Sequence, residues 1–314
     1  MSGTSERYSY LGPEGTFTWE ALRMVPGAES GEWVSVSNVG EALDDVVRGR
    51  STHAMIAMEN SIEGGVSATQ DALAELPGLR IIGEYQVPVR FSLVAAPGTS
   101  LSDVSVLAAH PVAYAQCRHW LEKNLPNHVH VPSASNVKAA EEALGDEPVH
   151  AALAPSSIVD RLGVEVLAQE VGDNPKAETR FVLVRLGGAV AERTGADKTS
   201  IIAELPDDGP GRLLEMLEQF ATRGVNMSLL ESRPIGDAMG RYRFVIDLDG
   251  HIHDERVADA LMGLRRFSPK VIFLGSYPRA NGHRPDVSEK YTDQAFVDAR
   301  AWLAAVAEGH ADLA

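Results

Sequence analysis

Between Ser9 and Ser157 short apolar runs end, one after another, in Gly, Pro, Ser, Thr or Asn, and a helical pattern opens after each. Ser9-Tyr10-Leu11 leads into Gly12-Pro13-Glu14-Gly15-Thr16, and Ala54 to Met58 leads into Glu59-Asn60-Ser61-Ile62-Glu63-Gly64-Gly65. Val106 to Ala109 precedes His110-Pro111 and a helix expected through Leu121, while Val129 to Val131 precedes Ser133 to Asn136. Repeated strand-then-helix units predict an α/β class with mostly parallel sheets. In open α/β sheets the ligand crevice lies beyond the carboxyl ends of the strands, where helix amino ends present free N–H groups. The same polar residues cap helices, so the pattern supports a small-anion cleft without requiring one.

A change of pattern falls between Gly187 and Lys198. Beyond it come a strand from Ser200, a loop from Pro206 to Gly211 through Asp207 and Asp208, and a helix from Arg212 with Leu213, Leu214, Leu217 and Phe220 at helical spacing. Strands at Val225 to Arg233 and Arg241 to Leu248, a helix from Asp254 and a strand at Val271 to Gly275 complete a βαββαβ order, that of a ferredoxin-like unit. Val297, Trp302 and Leu303 predict an amphipathic helix in the tail that packs on something.

The 314 residues carry a net charge of −16, which argues against nucleic acid and anionic membranes as partners. An anionic ligand would therefore need a local positive site. The single cysteine, Cys117, rules out a disulfide framework or a cysteine metal cluster and reads as a small buried hydrophobe on a helix. Met1 to Arg7 is polar, and no apolar run has transmembrane length, so a soluble, cytoplasmic chain is expected.

Thr179-Arg180-Phe181 puts a hydroxyl and a guanidinium at the entrance of an apolar strand. Together they can donate to a leaving oxygen and hold a carboxylate, although the tripeptide alone is a weak signal.

With Tyr10 to Thr18, Glu59-Asn60-Ser61-Ile62-Glu63-Gly64, His110-Pro111 with Ala115-Gln116-Cys117, Pro210-Gly211 with Leu213, and Glu231-Ser232-Arg233-Pro234, it completes six motifs in one order. On these the chain resembles the prephenate dehydratase family with a C-terminal ACT regulatory domain.

The resemblance implies a two-lobed, periplasmic-binding-protein-like catalytic domain over 7–187. Its lobes would be 7–87 plus 176–187, and 88–175. An ACT domain would follow at 198–278, then a tail at 279–314. It implies loss of CO2 and water from prephenate to give phenylpyruvate, without cofactor or metal, under feedback control by phenylalanine, in a homodimer or homotetramer. Arogenate dehydration and a non-catalytic amino-acid sensor are the alternatives.

Thr179 matches the family's catalytic threonine. Arg180 would either pair with a substrate carboxylate or orient its loop through an ion pair. Asn60, Ser61, Thr16 and Phe181 are expected around the substrate. So are Ser135 and Asn136, which helix capping explains nearly as well. Glu59 is kept among the substrate contacts, but two substrate carboxylates nearby favour a loop-anchoring role over a general acid. His110 reads as a packing residue and His53 as solvated. The effector site would use Gly211, Arg212, Leu213, Asn226, Met227, Glu231, Ser232 and Arg233.

Two departures stand out. Phe91 occupies a position where many members carry histidine, which favours a mechanism carried by Thr179. Arg212 replaces a small residue of the effector turn.

Overall fold

The computed structural model of the chain describes residues 6–145, 148–206, 209–236 and 240–309. Asp207 and Asp208 of the expected loop, residues 237–239 of the expected second domain and the tail beyond 309 lie outside these. So does most of the polar N-terminal stretch.

The first part runs β1 (Arg7–Leu11), α1 (Phe17–Arg23), β2 (Glu32–Val36), α2 (Val39–Val47), β3 (His53–Asn60), β4 (Gly64–Gly65), α3 (Ser67–Glu75), β5 (Leu79–Pro88) and β6 (Phe91–Ala95). It continues with β7 (Val106–Ala109), α4 (Pro111–Gln116), α5 (Arg118–Asn124), β8 (Val129–Pro132), α6 (Asn136–Ala143), β9 (Ala151–Pro155), α7 (Val159–Leu162), β10 (Glu165–Ala168) and β11 (Glu178–Leu186). After these come β12 (Asp197–Glu204), α8 (Arg212–Ala221), β13 (Met227–Pro234), β14 (Tyr242–Asp249), α9 (Glu255–Phe267), β15 (Val271–Pro278) and α10 (Asp293–Ala307).

The chain divides into two compact units, Met1–Thr69 with Tyr85–Val182, and Gln70–Glu84 with Leu183–Ala314. Strands β5 and β11 pass from one unit into the other.

One sheet has the order β2-β1-β3-β11-β5, with β4 on β3, and a second has the order β10-β6-β9-β7-β8. Helix caps agree with the sequence: Thr16, Asn38 and Ser135 each accept a hydrogen bond from a backbone N–H of the first turn. The central strands β6, β9 and β7 of the second sheet are buried on both faces. Leu93, Leu107 and Leu153 pack toward Cys117 and Leu121, and Val94, Ala108 and Ala152 pack toward Val137 and Ala140.

Its strands are not mostly parallel. β7 runs parallel to β8 and β9, but β6 runs antiparallel to β9 and β10 to β6. The cause is a crossing: the chain enters this sheet at Val89 and leaves it at Ala177, side by side, with Val89 N donating to the Ala177 carbonyl at 2.8 Å.

Two further expectations are corrected. The helix after His110 breaks at Cys117, because Asp173 caps a new one by accepting from His119 N and Trp120 N, each at 3.0 Å. β10 was not expected; it is a four-residue edge strand with a bulge, too short to show a period.

In the second unit β12, α8, β13, β14, α9 and β15 form one sheet of order β13-β14-β12-β15. Met216 and Phe220 of α8 and Val257, Ala260 and Leu264 of α9 cover one face, over Ile201, Phe244, Ile246 and Leu248. Leu213 and Leu214, expected in the apolar stripe, are exposed instead. The tail helix α10 buries no residue. It is tied down by Asp293 to Arg193 at 2.6 Å and by Arg300 to Glu255, while Trp302 and Leu303 face outward.

Candidate active site

In the first unit the ends of β1, β3, β7, β8 and β9 and the start of β11 surround a cavity of about 780 Å³. A smaller one of about 190 Å³ adjoins it and shares Phe17, His110, Asn136 and Thr179. Gly12 belongs to the wall because a side chain there would strike the Ser35 hydroxyl, 1.7 Å from an added Cβ.

Thr179 is 8% exposed and faces both cavities. Its Oγ1 accepts from Asn60 Nδ2 at 2.9 Å. Asn60 is itself locked, its Oδ1 accepting from Ile62 N at 2.9 Å and Glu63 N at 3.3 Å. With one lone pair of Thr179 engaged, its own O–H is left to donate into the cavity.

Thr16, Ser135, Asn136 and Phe181 line the larger cavity, and Asn60 the smaller. Thr16 and Ser135 also cap α1 and α6, and Asn136 Oδ1 accepts from His110 N at 3.2 Å.

Three expected substrate contacts line neither cavity. The pleat of β11 turns Arg180 to the face opposite Thr179 and Phe181. Arg180 is 5% exposed there, and its Nε donates to Glu59 Oε2 at 3.2 Å. The geometry is that of the structural ion pair, with Glu59 anchoring it. Ser61 clamps β3 to the start of β11: its hydroxyl accepts from Glu178 N at 3.0 Å, and its N–H donates to the Glu178 carbonyl at 2.9 Å.

His110, read as a packing residue, caps α4 and lines both cavities. Its Nδ1 accepts from Val112 N at 3.3 Å, which assigns the neutral ring's proton to Nε2. Burial lowers its pKa, so it is a neutral donor at pH 7. Phe91 meets Phe17 edge to face, and both line the smaller cavity. Among the described residues Lys138 and Glu141 are the charged side chains of the larger cavity, 3.7 Å apart at half-exposed positions.

Gln116, quoted in the sequence only as part of the Ala115-Gln116-Cys117 motif, was not expected at the site. It lines the smaller cavity at 6% exposure, and neither its Oε1 nor its Nε2 has a hydrogen-bond partner. An unpartnered buried amide costs about 1–3 kcal/mol, which a bound ligand can recover. The available signal was its place three residues after Ala113, on the buried face of the helix that opens at His110-Pro111. Gln116→Leu is expected to leave thermal stability equal or higher while kcat/KM falls about tenfold or more. Paired melting curves and steady-state rates check it; unchanged kinetics would remove Gln116 from the site. Cys117 next to it is inert, its thiol pushed up to about 12 by burial.

The expected effector residues divide between the two faces of the second unit's sheet. Gly211, in the left-handed region at φ 83°, opens α8 with free space around it. Arg212 pairs with Glu215 at 2.9 Å, and Leu213 is 41% exposed. Asn226 donates to Asp249 at 2.7 Å, and Met227 packs against the helical core.

Strand alternation puts Ser232 on the face of α8 and α9 but Glu231 and Arg233 on the other. There Gln70 donates to Glu231 at 2.6 Å, and Arg233 grips Asp71 bidentately at 2.7 and 3.2 Å. Those hydrogen bonds, with help from Arg243, hold the Asp71 carboxyl below its usual range. Within one chain, Glu231 and Arg233, expected in one effector site with Gly211, therefore lie on the sheet face away from α8.

Among the described residues no three His, Cys, Asp or Glu side chains are grouped to hold a metal ion, and no helix is long and apolar enough to cross a membrane.

The sequence profile of the family described as prephenate dehydratase matches residues 8–187. A prephenate dehydratase of Corynebacterium glutamicum is 39% identical over 316 residues, spanning 98% of this chain and 99% of that protein. The crystal structure of prephenate dehydratase from Arthrobacter aurescens in complex with L-Phe is 49% identical. It superposes with a TM-score of 0.91 over 96% of this chain and 99% of its own. A structure described as GqqA, a novel type of quorum quenching acylase, is 29% identical at a TM-score of 0.76, over 87% of this chain and 98% of its own.

Proposed function

The chain belongs to the prephenate dehydratase family, and from that premise we propose that it converts prephenate to phenylpyruvate, CO2 and water under feedback control by phenylalanine. The observation that carries the reading is the Asn60–Thr179 hydrogen bond, which leaves one hydroxyl proton aimed into a donor-rich cavity.

The ring carboxylate leaves as CO2, and its C–C electron pair passes through the diene. The C–O bond to the ring hydroxyl then breaks as the ring becomes aromatic. The departing oxygen takes a proton from solvent to leave as water. Thr179 is assigned the hydrogen bond to that oxygen, where charge develops in the transition state. Neutral His110 and Gln116 add donors, and Phe17, Phe91 and Phe181 supply apolar walls for the ring. Arg180 and Glu59 act as positioning residues, holding the strand entrance from behind.

In this reading residues 7–187 are a two-lobed catalytic domain of periplasmic-binding-protein type, 198–278 an ACT domain of ferredoxin-like topology, and the chain works as a cytoplasmic homo-oligomer. Prephenate and arogenate, each added to pure protein, test it. Phenylpyruvate formed from prephenate is expected; product from neither substrate would sink it.

Phenylalanine is assigned to the free turn at Gly211 and the start of α8, supported by the L-Phe complex of the Arthrobacter aurescens relative. Valine at a left-handed position strains that turn. Gly211→Val is expected to keep uninhibited kcat within about threefold and to weaken phenylalanine inhibition at least about tenfold. An unchanged inhibition constant would place the effector elsewhere.

A further inference from the structure

The first unit holds a second sizeable cavity, about 610 Å³, on the chain segment that enters the second sheet. It shares Phe17 and Pro155 with the larger catalytic cavity but contains neither Thr179 nor Asn60. Its apolar walls come from Phe17, Val87, Pro88 and Pro155.

Two arginines line it, and among the described residues neither is in a salt bridge. Arg180, Arg193, Arg233 and Arg279, by contrast, all have carboxylate partners. Arg90 Nη1 donates to the carbonyls of Val89 and Ala177, each at 3.1 Å. Those bonds use both Nη1 protons and fix the guanidinium. Nε and Nη2, the pair that binds a carboxylate side-on, keep their donors. Arg23 is stacked over Trp19, its Cζ 4.8 Å from the ring centroid, and this steadies it without using its donors. Among the described residues Glu20 is the one acidic group of the lining; it accepts a hydrogen bond from Ser157 and feels the charge of Arg23. Two guanidiniums and one carboxylate give the described lining a charge of +1.

We propose that this cavity is a binding site for a small apolar monocarboxylate, with the carboxylate on the Arg90 fork and the hydrocarbon body against Val87, Pro88 and Pro155. The assignment does not depend on the dehydratase reading.

The test uses the full chain and 3-phenylpropionate in calorimetric titration, with the uncharged 3-phenylpropanamide as control. Saturable binding of the acid and none of the amide is expected. Loss of a charge-assisted hydrogen bond should weaken binding about tenfold or more in Arg90→Gln. Arg23→Gln, at an exposed position, tests the site without touching the Arg90 anchor and should weaken binding about threefold. Asn136→Ala, which alters both catalytic cavities, should leave binding unchanged, since that residue lies outside this cavity. Equal binding of acid and amide, binding that survives both arginine substitutions, or binding lost in Asn136→Ala would overturn the proposal.

Discussion

Thr179→Ala is expected to lower kcat by about 10²–10³, the usual loss when one oriented donor to a developing oxyanion is removed. The hydroxyl is nearly buried, and Asn60 occupies its acceptor side, so its proton is left to donate into the cavity, where the proposed reaction puts the departing ring oxygen. An interaction made mainly in the transition state lowers kcat and kcat/KM together and leaves KM nearly unchanged. Thr179→Ser keeps the donor and should retain much of the rate. Steady-state kinetics on both variants separate the possibilities. Near-normal kcat in the alanine variant would remove Thr179 from the chemistry, and a large rise in KM alone would make it a binding residue.

The second large effect concerns stability. Lys198 Nζ sits 2.9 Å from Glu84 Oε2 and 3.9 Å from Asp247 Oδ2, with all three side chains under a tenth exposed. Asp247 also receives the Ser200 hydroxyl, which contacts the Tyr277 hydroxyl at 2.6 Å. Lys198→Met leaves two buried carboxylates without their lysine. Breaking one side of a buried pair costs about 3–5 kcal/mol, and the shift of the urea midpoint reads it. Adding Glu84→Gln removes one of the two charges and should recover part of the loss. A single variant within about 1 kcal/mol of the parent would mean that water reaches the cluster.

Much of the fold was legible because its signals are local. Caps such as Thr16, Asn38 and Ser135 act within one helical turn, and apolar period separates strand from helix over a few residues. The same holds for the βαββαβ order of the second unit. What failed depended on distant partners. The break at Cys117 is made by Asp173, more than fifty residues away. The antiparallel course of β6 follows from the crossing paired at Val89 and Ala177. Of the expected stripe, Leu217 and Phe220 pack toward the sheet together with Met216, while Leu213 and Leu214 keep helical spacing yet stay exposed.

The site divides along the same line. By itself the sequence determined the α/β class and the polar strand ends, which rest on residue chemistry and short-range pattern. Thr179, Asn60 and Asn136 were named as site residues through the family resemblance. Only the tertiary structure decided which of them meet. The Asn60–Thr179 bond spans 119 residues, and Arg180, adjacent to Thr179, is turned away from the cavity by the pleat of its strand. Glu231 and Arg233, a single motif in sequence with Ser232, were taken to the opposite face by the same alternation and engaged by Gln70 and Asp71. Adjacent residues on a strand point to opposite faces, and the partners that distinguish those faces lie far along the chain.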